Sequence, residues 1–147
     1  MEPSIQVITL AVDDLERAVT FYRDGLGLDS NGVVATELHD DHSGAEGAIA
    51  MFHLAGGLIL TVYPRSELSK DAGVPLGPSK TGEFSLGHVV ASREDVDALL
   101  ARAGAGGGRV LDMPRDRPWR IYSGYFQDPD GHLWEIMHNP ELDMGAT

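Results

Sequence analysis

Two successive rounds of one hydrophobic pattern run along the chain. Residues 5–12 are rich in β-branched side chains and short enough for a strand. Asp13 stands where a helix would begin and can cap its free amides, with Glu16 three residues on as the reciprocal partner. Leu15, Ala18, Val19, Tyr22 and Leu26 recur at helical spacing, giving one apolar face, and Gly25 and Gly27 supply the stop. Strand-like segments follow at 28–38, 47–54 and 58–63, the last two joined by a tight turn at Ala55-Gly56-Gly57. The second round begins with a strand at 84–91. Ser92 then caps a helix, with Asp95 at the capping-box position and Val96, Leu99, Leu100 and Ala103 as its apolar stripe. The glycine-rich stretch from Gly104 to Gly108 ends that helix. Strands near 109–113, 119–127 and 132–138 complete the round, and Asp128-Pro129-Asp130-Gly131 makes its last turn.

The order β-α-β-β-β, twice, predicts an α+β fold. A single such module leaves one sheet face bare. Two βαβββ modules can form a curved mixed sheet that encloses a cup, with the helices outside. The modules span 4–63 and 83–140, and the Pro-, Gly-, Ser- and Lys-rich segment 64–82 is a linker with a short helical turn at Glu67–Lys70. Residues 1–140 are thus expected to form one domain and 141–147 a flexible tail.

Charge and composition narrow the partners. Eleven basic against 23 acidic residues give a net charge of −12, which repels phosphate backbones and argues against nucleic acid. No apolar run approaches the roughly 18 residues of a membrane span. The N-terminus carries no secretory pattern, and the chain has no cysteine. That rules out disulfides and thiolate chemistry and fits a cytoplasmic setting. No Ser/His/Asp arrangement is visible, and no phosphate-cradling glycine loop follows a strand.

Ile8-Thr9-Leu10-Ala11-Val12-Asp13-Asp14-Leu15 with Phe21-Tyr22-Arg23-Asp24-Gly25-Leu26-Gly27-Leu28 resembles the opening of vicinal-oxygen-chelate domains, the glyoxalase/bleomycin-resistance/dioxygenase superfamily. Tyr125-Phe126-Gln127-Asp128-Pro129-Asp130-Gly131-His132-Leu133-Trp134-Glu135 resembles their closing strand pair. The resemblance implies a homodimer and four ligand positions on the inner face of the cup. Enzymes of the superfamily fill these with His, Gln or Glu around Zn, Ni, Mn or Fe. Matching the motifs places the positions at Val7, Leu60, Ser85 and Glu135, the second by aligning Gly56 with Gly131. Only Glu135 is a good ligand for a divalent cation, so neither a metal site nor another cofactor is expected.

Alternation assigns Val7, Thr9, Leu60, Val62, Ser85, Gly87, Leu133, Glu135 and Met137 to the inner face. Trp119, Tyr122 and Tyr125 lie on the closing strand, where Trp119 and Tyr122 cannot share a face. His88 and His138 fall out of phase with the inner positions, as buried structural residues. The face of His53 stays open, and a one-residue bulge would bring His53 or His88 inward. His39-Asp40-Asp41-His42 could make a surface metal site but reads better as a solvated loop. Arg115, Arg117 and Arg120 cluster around the start of the seventh strand, where they could face an anionic substrate; they too read better as a solvated loop.

The expected ligand-binding set is therefore Val7, Thr9, Leu60, Ser85, Gly87, Trp119, Tyr122 and Glu135, around a small organic ligand of partly aromatic or cationic character. Glu135 either contacts a donor on that ligand or is held by an Arg or Tyr such as Arg120. The sequence admits two other functions. One is a metal-dependent lyase, isomerase or ring-cleaving dioxygenase with its ligands elsewhere; the other is a metal-free enzyme with Glu135 as general base. It does not reveal the ligand, whether there is turnover, or whether a cup is built within one chain or between two.

Overall fold

The computed structural model describes residues 1–78 and 82–141, so the expected tail lies, but for Glu141, outside the described residues. The described residues form two compact units, 1–23 with 27–78 and 24–26 with 82–141. Each unit carries a mixed sheet, giving the α+β architecture that the pattern predicts.

In the first unit, β1 (Val7–Val12) runs parallel to β4 (Ile59–Pro64). The sheet continues antiparallel through β3 (Ile49–His53) to β2 (Val33–Val34). Alternation along β1, β4 and β3 puts Leu10, Val12, Leu60, Val62, Ala50 and Phe52 on one face, none more than 2% exposed. The helix α1 (Leu15–Val19), continued by a π-helical turn over Thr20–Gly25, supplies Ala18, Val19, Phe21 and Tyr22 to the same core. The Tyr22 and Phe52 rings meet at 5.7 Å. Each large side chain buried here contributes about 1.5–3 kcal/mol.

Local details depart from the sequence pattern for identifiable reasons. Asp14, not Asp13, caps α1, because Asp14 is still extended and its Oδ1 accepts the Arg17 amide at 3.0 Å. Asp13 instead meets Arg65 at 3.4 Å. The expected strand at 28–38 shrinks to two residues. Ser30 Oγ accepts the Gly32 amide at 3.0 Å, and Gly32 (φ 78°) and Ala35 (φ 59°) are left-handed.

Within the expected linker, α2 occupies Arg65–Ala72 and stops at Gly73 (φ 69°). Its Glu67 is 9% exposed and accepts hydrogen bonds from the Ser66 hydroxyl, the Glu46 amide and Lys70 Nζ. These contacts, the Ser66 hydroxyl foremost, lower its pKa from 4.5 to about 2. Because the folded pKa lies below the unfolded one, the resulting stability is complete above about pH 4.5 and is lost as pH falls through 2. In urea unfolding, Glu67→Gln is expected to cost about 1–2 kcal/mol at pH 7. The difference from the parent protein should narrow steadily below pH 4.5; a gap that stays constant down to pH 2.5 would contradict this.

The second unit contains β5 (Leu86–Val89), α3 (Arg93–Ala105), β6 (Arg109–Val110), β7 (Arg115–Arg117), β8 (Ile121–Gln127) and β9 (Leu133–His138). β5 is parallel to β9, which pairs antiparallel with β8, and β8 pairs with both β6 and β7. Ser92 caps α3 by accepting the Asp95 amide at 3.1 Å, as the sequence predicts. Val96, Leu100 and Ala103 of α3 are buried, as are Phe126 and Ile136 on the sheet face that α3 covers. Gly124 lies directly under Leu100. A Cβ there would come within 2.6 Å of Leu100 Cδ1 and 3.3 Å of Pro114 Cα. Among the described residues, no helix is long and apolar enough to cross a membrane.

Candidate ligand-binding face

Strand register decides which residues share a surface. In the second unit, Gly87, Glu135 and Tyr125 form one cross-strand row, and Val89, Met137, Ser123 and Arg115 form the next. Side chains alternate along a strand, so both rows lie on the sheet face turned away from α3. Arg117, two residues beyond Arg115 on β7, belongs to the same face. The arginines expected in a loop are thus partly ordered in a strand.

Three of these side chains are hydrogen-bonded together, and a fourth, Tyr125, packs beside Arg117. Ser123 is fully buried. Its hydroxyl donates to Glu135 Oε2 at 2.7 Å and accepts from Arg117 Nε at 2.6 Å, and its carbonyl accepts a second Arg117 donor at 3.3 Å. The Arg117 guanidinium sits 5.2 Å from the centre of the Tyr125 ring. Tyr125 stands beside Glu135 in the same cross-strand row. Desolvation and the neighbouring carboxylate push the phenol's pKa up, so it stays protonated. Glu135 is therefore held by Ser123, with Arg117 rather than Arg120 behind it. Neither Ser123 nor Tyr125 stood in the expected binding set. Counting outward from the Asp128–His132 turn would have placed Tyr125 opposite Glu135 and Ser123 opposite Met137.

Other expected residues are scattered. Ser85 is exposed just ahead of β5, and Gly87 is exposed beside Glu135. Tyr122 lies on the α3 side, where its hydroxyl donates to Asp97 Oδ1 at 2.6 Å and Arg93 stacks 4.0 Å over its ring. Trp119 is 82% exposed in the turn between β7 and β8. It and Arg120 are left-handed (φ 65° and 62°), a conformation costing a non-glycine residue about 1–2 kcal/mol. His88 and His138 lie on the α3 side. His138 Nδ1 is 3.4 Å from the Val90 carbonyl. His88 is exposed rather than buried, yet desolvated enough to lower its pKa.

In the first unit, Val7, Ile59 and His53 form one row and Thr9, Thr61 and Met51 the next, on the face opposite the α1-packed core. His53 thus shares a face with Val7 without any bulge. With Asp29, Ser30, Asn31, Gly32, Val34 and Met51 it lines a hollow of about 370 Å³. Leu60 and Val62 are core residues of the other face, 1% and 0% exposed. The placement of Leu60 inward fails through a slip of one residue. Gly57, not Gly56, occupies the place of Gly131, since His53 pairs with Ile59 as Gln127 pairs with Leu133. The counterpart of Glu135 is consequently Thr61, and one residue of slip reverses the face.

A family model for the Glyoxalase/Bleomycin resistance protein/Dioxygenase superfamily matches residues 4–136. The chain belongs to this superfamily. A glyoxalase-related enzyme from Fulvimarina pelagi is 31% identical, with 98% of this chain and 94% of that one covered and a TM-score of 0.80. Lactoylglutathione lyase from Agrobacterium tumefaciens is 26% identical over 94% and 95% of the two chains, with a TM-score of 0.63. A genomically encoded fosfomycin resistance protein from Listeria monocytogenes shares the fold, with 21% identity over 96% and 97% of the chains and a TM-score of 0.67. Among curated proteins, none is similar enough to match.

The superfamily's metal sites draw on His, Gln and Glu, and the donor set here does not suit one. With the register corrected, the four positions hold Val7, Thr61, Ser85 and Glu135. Valine has no lone pair, and neutral hydroxyls are poor ligands for Zn or Fe. Thr61 is besides only 3% exposed. Among the described residues, no three His, Asp or Glu side chains gather as a metal-binding group.

Proposed function

We propose that this chain is a binding protein for a small organic molecule, which rests on the Glu135 face of the second sheet without a transition metal held by the protein. The observation that carries this reading is the Glu135–Ser123–Arg117–Tyr125 cluster. Its polar groups are fixed by one another and sit among Gly87, Val89 and Met137, the mixture of apolar surface and few oriented polar groups typical of small-ligand sites. The valine and hydroxyl side chains at the remaining superfamily positions support the metal-free part. The Ser123 hydroxyl already donates to Glu135, so use of this carboxylate as a general base would displace that bond; that favours binding over proton abstraction. Trp119 is the proposed aromatic contact at the rim, and a homodimer, as the family resemblance implies, is part of the same proposal.

A thermal-shift screen against thiol conjugates, catechols and cationic antibiotics identifies the ligand class. For whichever compound binds, Glu135→Gln keeps the shape but removes the charge, and affinity should fall about tenfold. An unchanged affinity removes Glu135 from the binding account.

A further inference from the structure

Opposite charges on this face are close but unpaired with each other. Arg117 Nε and Glu135 Oε2 each lie within 2.7 Å of the Ser123 hydroxyl, which stands between them. A direct ion pair would satisfy both groups; the serine bridge leaves each with unspent capacity. A carboxylate offers about four acceptor positions, and Ser123 occupies one of them. A guanidinium carries five N–H donors, of which Ser123 takes two. Arg115 adds a second, exposed guanidinium on the same face, in register with Ser123. Beside Glu135 the row ends in Gly87, which has no side chain and leaves a notch bounded by Met137.

Resting on the reading of this face as a small-molecule site, we propose that its ligand is a zwitterion of amino-acid type, its ammonium in the Gly87 notch against Glu135 and its carboxylate against Arg117 and Arg115. The net charge of −12 over the whole chain would draw in simple cations and repel simple anions. Local guanidinium groups are what let a carboxylate approach this surface, and bidentate geometry favours it. A neutral or singly charged molecule would leave the carboxylate, the guanidinium groups or both without a charged partner.

The test uses four probes that share a phenyl ring. L-phenylalanine carries both charges, 3-phenylpropionate only the carboxylate, phenethylamine only the ammonium and 3-phenylpropanol neither. Titration is followed by backbone amide NMR shifts. Phenylalanine should saturate the Gly87 and Glu135 amides at about tenfold lower concentration than either singly charged probe. Glu135→Gln should erase its advantage over phenylpropionate, and Arg115→Gln should reduce its advantage over phenethylamine, with Arg117 still in place. The inference is overturned if phenylpropanol or a singly charged probe moves the same amides at the same concentration; the face then remains a small-molecule site. Failure of all four to move those amides, in protein whose spectrum shows it folded, overturns it too. Only failure of the broader compound screen as well removes the underlying reading.

Discussion

Replacing Gly124 with valine should lower the stability of the protein by about 3 kcal/mol, the largest effect expected of any single change on the second sheet. The position faces α3, and even a first added carbon would sit 2.6 Å from Leu100 Cδ1 and 3.3 Å from the backbone of Pro114. Leu100 can yield by changing rotamer, but it is 3% exposed among packed neighbours, and the Pro114 main chain cannot move aside without disturbing β7. Gly124→Ala should follow the same course at about 1–2 kcal/mol. Because the strain lies on the helix side, ligand affinity per folded molecule should be unchanged in both variants. Chemical unfolding measures the first effect and titration of the refolded variants the second. A valine variant as stable as the parent would mean that α3 does not lie on Gly124 as described.

Removing the Ser123 hydroxyl should cost about 2 kcal/mol and weaken ligand binding at the same time. Ser123→Ala deletes few atoms, so the cavity is small. The loss comes from Arg117 Nε and Glu135 Oε2, which give up a partner in a place where water does not reach the serine. A double-mutant cycle isolates this. In a Glu135→Gln background the same serine change should cost about 1 kcal/mol less, since the carboxylate it served is gone. Additive costs would show that Ser123 and Glu135 are neighbours without being coupled.

The fold was largely legible in the sequence because its two cues are physical and local. Alternation marks the strands, and capping residues such as Ser92 mark the helices. What the sequence obscured turns on single residues. Asp13 and Asp14 are equally good caps, and only the extended backbone at Asp14 decides between them. Gly56 and Gly57 are both left-handed, so the sequence offers no reason to align one rather than the other with Gly131. That ambiguity sent Leu60 to the wrong face and concealed Thr61. Glu135 stood out in the closing motif. Its neighbours did not, because Ser123 and Tyr125 lie across strands from it, and the intervening turn must be counted before they align. In the sequence Arg117 is only one of three clustered arginines that read as a loop, because a short strand at Arg115–Arg117 has no apolar alternation to announce it.

Metal content tests the central claim most directly. Protein purified without an affinity tag, exposed to Zn, Ni, Mn and Fe in turn and then dialysed, should retain well below one equivalent of any of them, and ligand binding should survive chelator treatment. One tightly held equivalent, lost together with ligand binding in Glu135→Ala, would contradict the account.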